Sequence, residues 1–401
     1  MTTENEHPLA NLKPIGEEPF LLTPGPLTTT MRTKEAMLRD WGSWDQDFKK
    51  VTARIRESLI AMCDGGEDYD CVLMQGSGSF SVEAALSSFI PKDGKALVLM
   101  NGAYGQRSAK TLDYLGRDYV KLDKGDYLPA MPGEVAAILD ADQDITHVIV
   151  VHCETSSGIL NPLKEISDVV ITKGRKLIVD SMSAFGAVAL SVKEIPFECM
   201  VSSANKCIEG VPGFGFILAR KTALEAAKGN SHSLCLDVHD QWVAMNTSGQ
   251  WRFTPPTHTV VAFLEALMQH EEEGGVAGRF KRYDGNRRIL ISGMRELGFE
   301  TLLEDRWISP IITTFFCPTD PNFEFTRFYE EIKERGYIIY PGKLTVVGSF
   351  RIGCIGNLNA DNMRGVLAAI KGACVAMGVT DCSPPVEALE QRKLQQQLAV
   401  Q

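Results

Sequence analysis

Between residues 70 and 220 the chain alternates short, unbroken apolar runs with stretches whose apolar residues recur at helical spacing. The runs are Cys71–Gln75, Ala96–Met100, Tyr119–Leu122, His147–His152, Lys176–Val179, Cys199–Ser202 and Gly215–Ala219. A strand with water on one side alternates apolar and polar residues. Continuous runs therefore predict a mostly parallel sheet covered by helices on both faces. Ser81–Phe89, Gln106–Leu115, Met131–Leu139 and Leu163–Lys173 supply those helices. Sheets of this kind bind ligands beyond the carboxyl ends of their strands, which directs attention to Gly76–Ser79, Tyr104, Thr155, Asp180 and Lys206.

Past Gly275 the pattern changes. Phe280–Leu297 reads as a long helix, Ile308–Phe316 as a strand and Phe325–Arg335 as a helix. Tyr337–Tyr340 and Ser349–Ile352 read as strands and Asp361–Met377 as a closing helix. This predicts a smaller α+β unit, giving an N-terminal extension over 1–19, a large domain over 20–275, a small one over 276–380 and a polar tail over 381–401. The net charge of −10 argues against nucleic acid or an anionic membrane as main partner. The polar start, with Glu4 and Glu6, lacks the order of a signal peptide, and no apolar run approaches the roughly 20 residues a membrane helix needs. The ten cysteines are scattered without metal-ligand spacing, so no metal site and a reducing cytoplasm are expected.

The chemistry is carried by a pair. The run Lys176–Val179 ends in Asp180, and Cys199–Ser202 is soon followed by Lys206. Pyridoxal 5'-phosphate needs both: a lysine for covalent attachment and a carboxylate to keep the pyridine nitrogen protonated. Alone, the Asp would read as a turn former and the Lys as a surface charge. Upstream, Gln75-Gly76-Ser77-Gly78-Ser79 is a glycine-rich turn between a strand and a helix, suited to an anion at the helix start. The third glycine of a dinucleotide fingerprint is missing, since Ser81 stands there. Tyr104 crests the next such turn and either stacks on a planar ring or packs on its own domain. Thr155 either donates to a ring oxygen or caps the following helix.

These words resemble the fold-type I, class V pyridoxal-phosphate aminotransferases over roughly Phe20 to Met377. They are joined by Leu22-Thr23-Pro24-Gly25-Pro26, Asn101-Gly102-Ala103-Tyr104-Gly105, His152-Cys153-Glu154-Thr155, Trp251-Arg252-Phe253-Thr254-Pro255-Pro256 and Phe350-Arg351-Ile352-Gly353. The resemblance implies a large domain with a mostly parallel seven-stranded sheet sandwiched by helices, plus a smaller C-terminal domain. By the same resemblance Lys206 holds the cofactor and Asp180 pairs with its ring nitrogen. Ser77, Gly78 and Ser79 line its phosphate, Tyr104 stacks on the ring, and Thr155 lies near the phenolic oxygen. Thr254 reaches the phosphate in a neighbouring subunit, implying a homodimer with shared sites, and Arg351 binds the substrate's anionic group. The implied substrates are 2-aminoethylphosphonate and pyruvate, converted to phosphonoacetaldehyde and L-alanine. The second proline of Phe253-Thr254-Pro255-Pro256 departs from the expected pattern.

Arg351 also stands out on its own terms, because it lies between apolar residues where an unpaired charge is costly. Arg32 and Lys343 are the alternatives for the anion. Rival readings are an alanine– or serine–glyoxylate type of aminotransferase, a desulfurase or lyase (against which Cys354 reads as a strand end, not a mobile loop cysteine), and a non-catalytic binding protein on the same fold.

Overall fold

The computed structural model describes residues 14–343 and 347–398. The first part of the 1–19 extension, with Glu4 and Glu6, and the end of the 381–401 tail lie outside the described residues.

Seven strands form the central sheet in the order Tyr69–Gln75, Phe214–Arg220, Cys199–Ser203, Lys176–Asp180, Ile145–Val151, Lys95–Met100, Asp118–Asp123. All neighbours run parallel except Phe214–Arg220, which is antiparallel to the strands on either side. Each observed strand contains or nearly coincides with one of the expected runs. The apolar run shows why both faces are covered. Leu97 and Leu99 join one buried cluster with Val148, Val150, Leu177, Val179 and the helix Gln46–Met62. Ala96, Val98 and Met100 join another with Ile149, Ile178 and the helices Gly78–Phe89 and Ala103–Leu115. Each Val, Leu, Ile or Met side chain taken out of water here contributes about 1.5–3 kcal/mol.

The C-terminal part packs a third cluster of Phe299, Phe315, Phe328, Phe350, Ile352 and Ile370 around a three-stranded sheet of Ile312–Phe316, Ser349–Gly353 and Tyr340–Pro341. Three expectations need correction here. The long helix begins at Gly275 rather than Phe280 and runs to Glu296. Its first turn has little apolar content and is anchored instead by ion pairs of Arg279. The strand expected over Ile308–Phe316 starts only at Ile312, because Asp305–Trp307 forms a 3₁₀ turn and Pro310 then lacks the N–H a ladder needs. The run Tyr337–Tyr340 splits: Tyr337–Ile338 pairs in parallel with Phe20–Leu21, and Tyr340–Pro341 pairs with the Arg351 strand. Ile339, between them, is fully buried. The tail forms a helix, Val386–Leu398, docked through buried Ala388 and a hydrogen bond from Arg392 to the Thr301 carbonyl.

Candidate active site

Asp180 ends the strand Lys176–Asp180, opposite Val151 on one side and Val201 on the other. Its carboxylate accepts a hydrogen bond from the Met182 N–H at 3.0 Å, and its other oxygen has no partner among the described residues. Burial pushes the carboxyl up to about 6, against the Met182 hydrogen bond and the pull of Arg107 and Lys206. A buried carboxylate short of donors is what a protonated ring nitrogen would complete.

Lys206 sits in the connection from the strand Cys199–Ser203 to its antiparallel neighbour, where Glu209 N–H donates to the Lys206 carbonyl and Gly210 N–H to that of Ala204. Its Nζ donates to the Pro24 carbonyl at 2.6 Å and to that of Gly25 at 3.3 Å. Burial pushes this amine down to about 8; Asp180 resists the shift, and Lys343 and Arg351 add to it. Gly25 is required at φ +101°, and a Cβ there would lie 2.8 Å from Lys206 Nζ.

At the end of Tyr69–Gln75, Gly76 takes φ +101° and the helix Gly78–Phe89 starts with Ser77 as N-cap, whose side chain makes no capping hydrogen bond. The first N–H groups of that helix are left for an anion. A Cβ on Gly78 would clash with Met182 Sδ, so the cup and the Asp180 strand end are in contact. Ser79 Oγ accepts from Arg107 at 2.9 Å. The Arg107 guanidinium lies 4.9 Å from the Tyr104 ring centre, and Lys343 Nζ lies 5.2 Å from it.

Thr155 is buried, and its carbonyl accepts from Arg351 Nη1 at 2.8 Å. Arg351 Nε donates to the Pro341 carbonyl at 3.0 Å. The guanidinium is 2% exposed, yet no carboxylate lies within ion-pair distance among the described residues. Burial lowers its pKa. Of the two alternatives for the anion, Arg32 is engaged with Glu265 and Glu272, so it does not compete. Thr254 stands apart from these groups: it is exposed, and only its carbonyl is engaged, by Gln75 Nε2 at 3.0 Å.

One contributor carries no signal of its own in the sequence. Glu154 is fully buried; its carboxylate accepts from the N–H groups of Tyr104 (3.0 Å) and Gly105 (3.2 Å) and from Ser156. It caps the helix Ala103–Leu115 from another strand end and so fixes the Tyr104 turn. The word His152-Cys153-Glu154-Thr155 contains it, but its partners are fifty positions away. His152, the first residue of that word, shares a hydrogen bond with Ser181 Oγ at 3.0 Å, and burial pushes it down to about 4, so it is neutral.

These groups fit pyridoxal 5'-phosphate, with an open carboxylate, an amine of lowered pKa, an uncapped helix start and a buried cation without counter-charge. Residues 30–317 match the family described as Aminotransferase class-V. The chain is 66% identical over 376 residues to the 2-aminoethylphosphonate–pyruvate transaminase of Rhizobium meliloti (strain 1021), covering 94% of this chain and 98% of the relative. It is 51% identical over 367 residues to the enzyme of the same description from Pseudomonas putida (strain GB-1), covering 92% and 100%. Among solved structures, pyridoxamine-pyruvate aminotransferase from Mesorhizobium loti superposes with a TM-score of 0.84 at 21% identity, covering 96% of this chain and 99% of that one. Alanine–glyoxylate aminotransferase from Nostoc sp. does so at 0.83 and 20%, covering 93% and 99%. The chain belongs to the class V aminotransferase family.

Proposed function

We propose that the chain transfers the amino group of 2-aminoethylphosphonate to pyruvate, giving phosphonoacetaldehyde and L-alanine, with pyridoxal 5'-phosphate held at Lys206. The relatives' descriptions support this substrate pair over the glyoxylate-type alternative. The observation that carries it is Arg351, a buried guanidinium without a carboxylate, tied to Thr155 at the same end of the sheet as Asp180. A phosphonate and a carboxylate each offer two oxygens to a guanidinium fork, so one residue serves donor and acceptor in turn.

When bound, the cofactor supplies an electron sink that makes the hydrogen on the amine-bearing carbon removable. Lys206 Nζ, with its pKa lowered to about 8, is the base that takes this proton and later returns it. Asp180 holds a proton on the ring nitrogen by presenting its unpaired oxygen. Ser77, Gly78 and Ser79 bind the phosphate at the helix start, and Tyr104, its turn fixed by Glu154, covers the ring face. Thr155 orients the phenolic side, and Arg351 holds the substrate's anionic end.

The active unit is a homodimer. Phe80 and Phe253 are exposed beside the phosphate cup, where a second copy would cover them and receive Thr254. The large domain (20–275) carries the cofactor and the small one (276–380) carries Arg351. No helix among the described residues is long and apolar enough to cross a membrane, and ten unpaired thiols suit a reducing cytoplasm.

Titration of the purified, cofactor-loaded protein with 2-aminoethylphosphonate alone, followed by visible absorption, tests the assignment. The lysine-linked band should disappear and return with pyruvate. A band that ignores the phosphonate but responds to alanine or serine would replace this reading with a glyoxylate-type activity.

A further inference from the structure

Lys206 and Arg351 lie on different units of the molecule, and a substrate spanning them needs their separation fixed. The long helix Gly275–Glu296 carries a buried ionic cluster that touches both sides. On one side Arg279, 1% exposed, donates from Nη1 to the carbonyl of Cys207, the residue after the lysine. Its Nε pairs with Glu273 at 2.7 Å, and Nη1 lies 3.4 Å from Glu209. Glu209 closes the lysine turn at φ +65°, a left-handed conformation rarely held by a residue with a side chain. Its carboxylate accepts from Tyr283 Oη at 2.5 Å and Arg282 Nη2 at 2.8 Å.

On the other side, one turn along the helix, Arg282 Nη1 donates to the carbonyls of Gly356 (2.5 Å) and Leu358 (3.1 Å). Tyr283 Oη accepts from the Gly356 N–H at 3.2 Å, and Asn286 donates to the Cys354 and Leu358 carbonyls. Residues 354–358 directly follow the strand Ser349–Gly353 that holds Arg351. Two guanidiniums and two carboxylates balance in charge, so the cluster attracts no anion of its own and leaves its donors for backbone carbonyls. None of these groups reaches the reacting atoms.

We propose that Arg279, Arg282 and Tyr283 are positioning residues that tie the Lys206 turn to the loop after Arg351, setting the distance between the amine and the anion of the substrate, and hence the donor chain length accepted. This rests on the assignment of Lys206 and Arg351 to the two ends of the donor.

The test uses Tyr283→Phe and Arg282→Gln in the full-length protein. Amide hydrogen exchange, which needs neither cofactor nor substrate, should accelerate at least tenfold in both Asn205–Gly210 and Cys354–Leu358. With cofactor, the preference in kcat/KM for 2-aminoethylphosphonate over 3-aminopropylphosphonate should shrink about tenfold, mainly through kcat. A purely structural cluster would lower the melting temperature and leave that ratio unchanged, which would overturn the proposal. So would exchange that accelerates in one segment only. Absence of turnover with 2-aminoethylphosphonate in the unmodified protein would instead defeat the assignment of function, with the exchange result still deciding the tie.

Discussion

Arg351 and Arg279 are almost equally buried, at 2% and 1% exposed, but their surroundings are opposite. Arg279 meets two carboxylates and a backbone carbonyl. Arg351 meets two backbone carbonyls and no carboxylate among the described residues. The same contrast separates the groups around each. Asp180 keeps an oxygen without a donor and Lys206 keeps an amine of lowered pKa, whereas Glu209 receives two donors and a further guanidinium at 3.4 Å. Burial alone therefore does not mark a site. A buried charge without its counter-charge does so where, as with Arg351, it stands beside other incompletely paired groups such as Asp180; Arg117, also buried without a carboxylate, is instead satisfied by the carbonyls of Ser87, Ile90 and Asn230.

The contrast fails if the two sets of side chains respond alike to replacement. Lys206→Ala should reduce turnover by at least roughly 10²–10⁴-fold and abolish the lysine-linked visible band; a normal band would remove Lys206 from its role. Arg279→Gln leaves two carboxylates to share the single guanidinium of Arg282 and should lower the unfolding free energy by about 3–5 kcal/mol in a urea titration. Arg351→Gln removes no ion pair, so its unfolding midpoint should stay near that of the parent. Its kcat/KM for both substrates should fall by an equivalent of about 2–5 kcal/mol. Equal stability losses in the two Arg variants would break the comparison.

Asp180→Asn sharpens it through pH. The folded carboxyl titrates at about 6 and the unfolded one near 3.8. The folded state therefore binds more protons between those values, and the cofactor-free protein loses stability as pH rises through that window. The Asn variant should show no such loss and should be more stable at pH 7 by up to about 3 kcal/mol, read from unfolding curves of the cofactor-free protein at pH 4 and 7. Its activity should nonetheless collapse.

Much of this architecture is legible in the chain. Parallel strands buried on both faces leave continuous apolar runs, so Lys176–Asp180 and Cys199–Ser203 can be read with their terminal charges in place. Arg351 is visible because apolar residues flank it. What cannot be read is anything that depends on a distant partner. Glu154 looks like one acid among many until the Tyr104 turn folds onto it. The start of the long helix is hidden because ionic contacts of Arg279 hold it in place of an apolar stripe. Tyr337–Tyr340 has the composition of one strand, and only the arrival of Phe20–Leu21 from far away in the sequence divides it in two.

That last pairing has a consequence for the order of assembly. Phe20–Leu21 is held by Tyr337–Ile338, and Gly353 N–H donates to the Leu22 carbonyl. The next residues carry the Pro24 and Gly25 carbonyls that receive the lysine amine. A ribosome emits the first of these segments long before the second, with the whole central sheet in between. The nascent chain can thus build the central sheet, lysine included, while the strap across that lysine still waits for its anchor. The pocket is finished only when two segments made far apart in time meet.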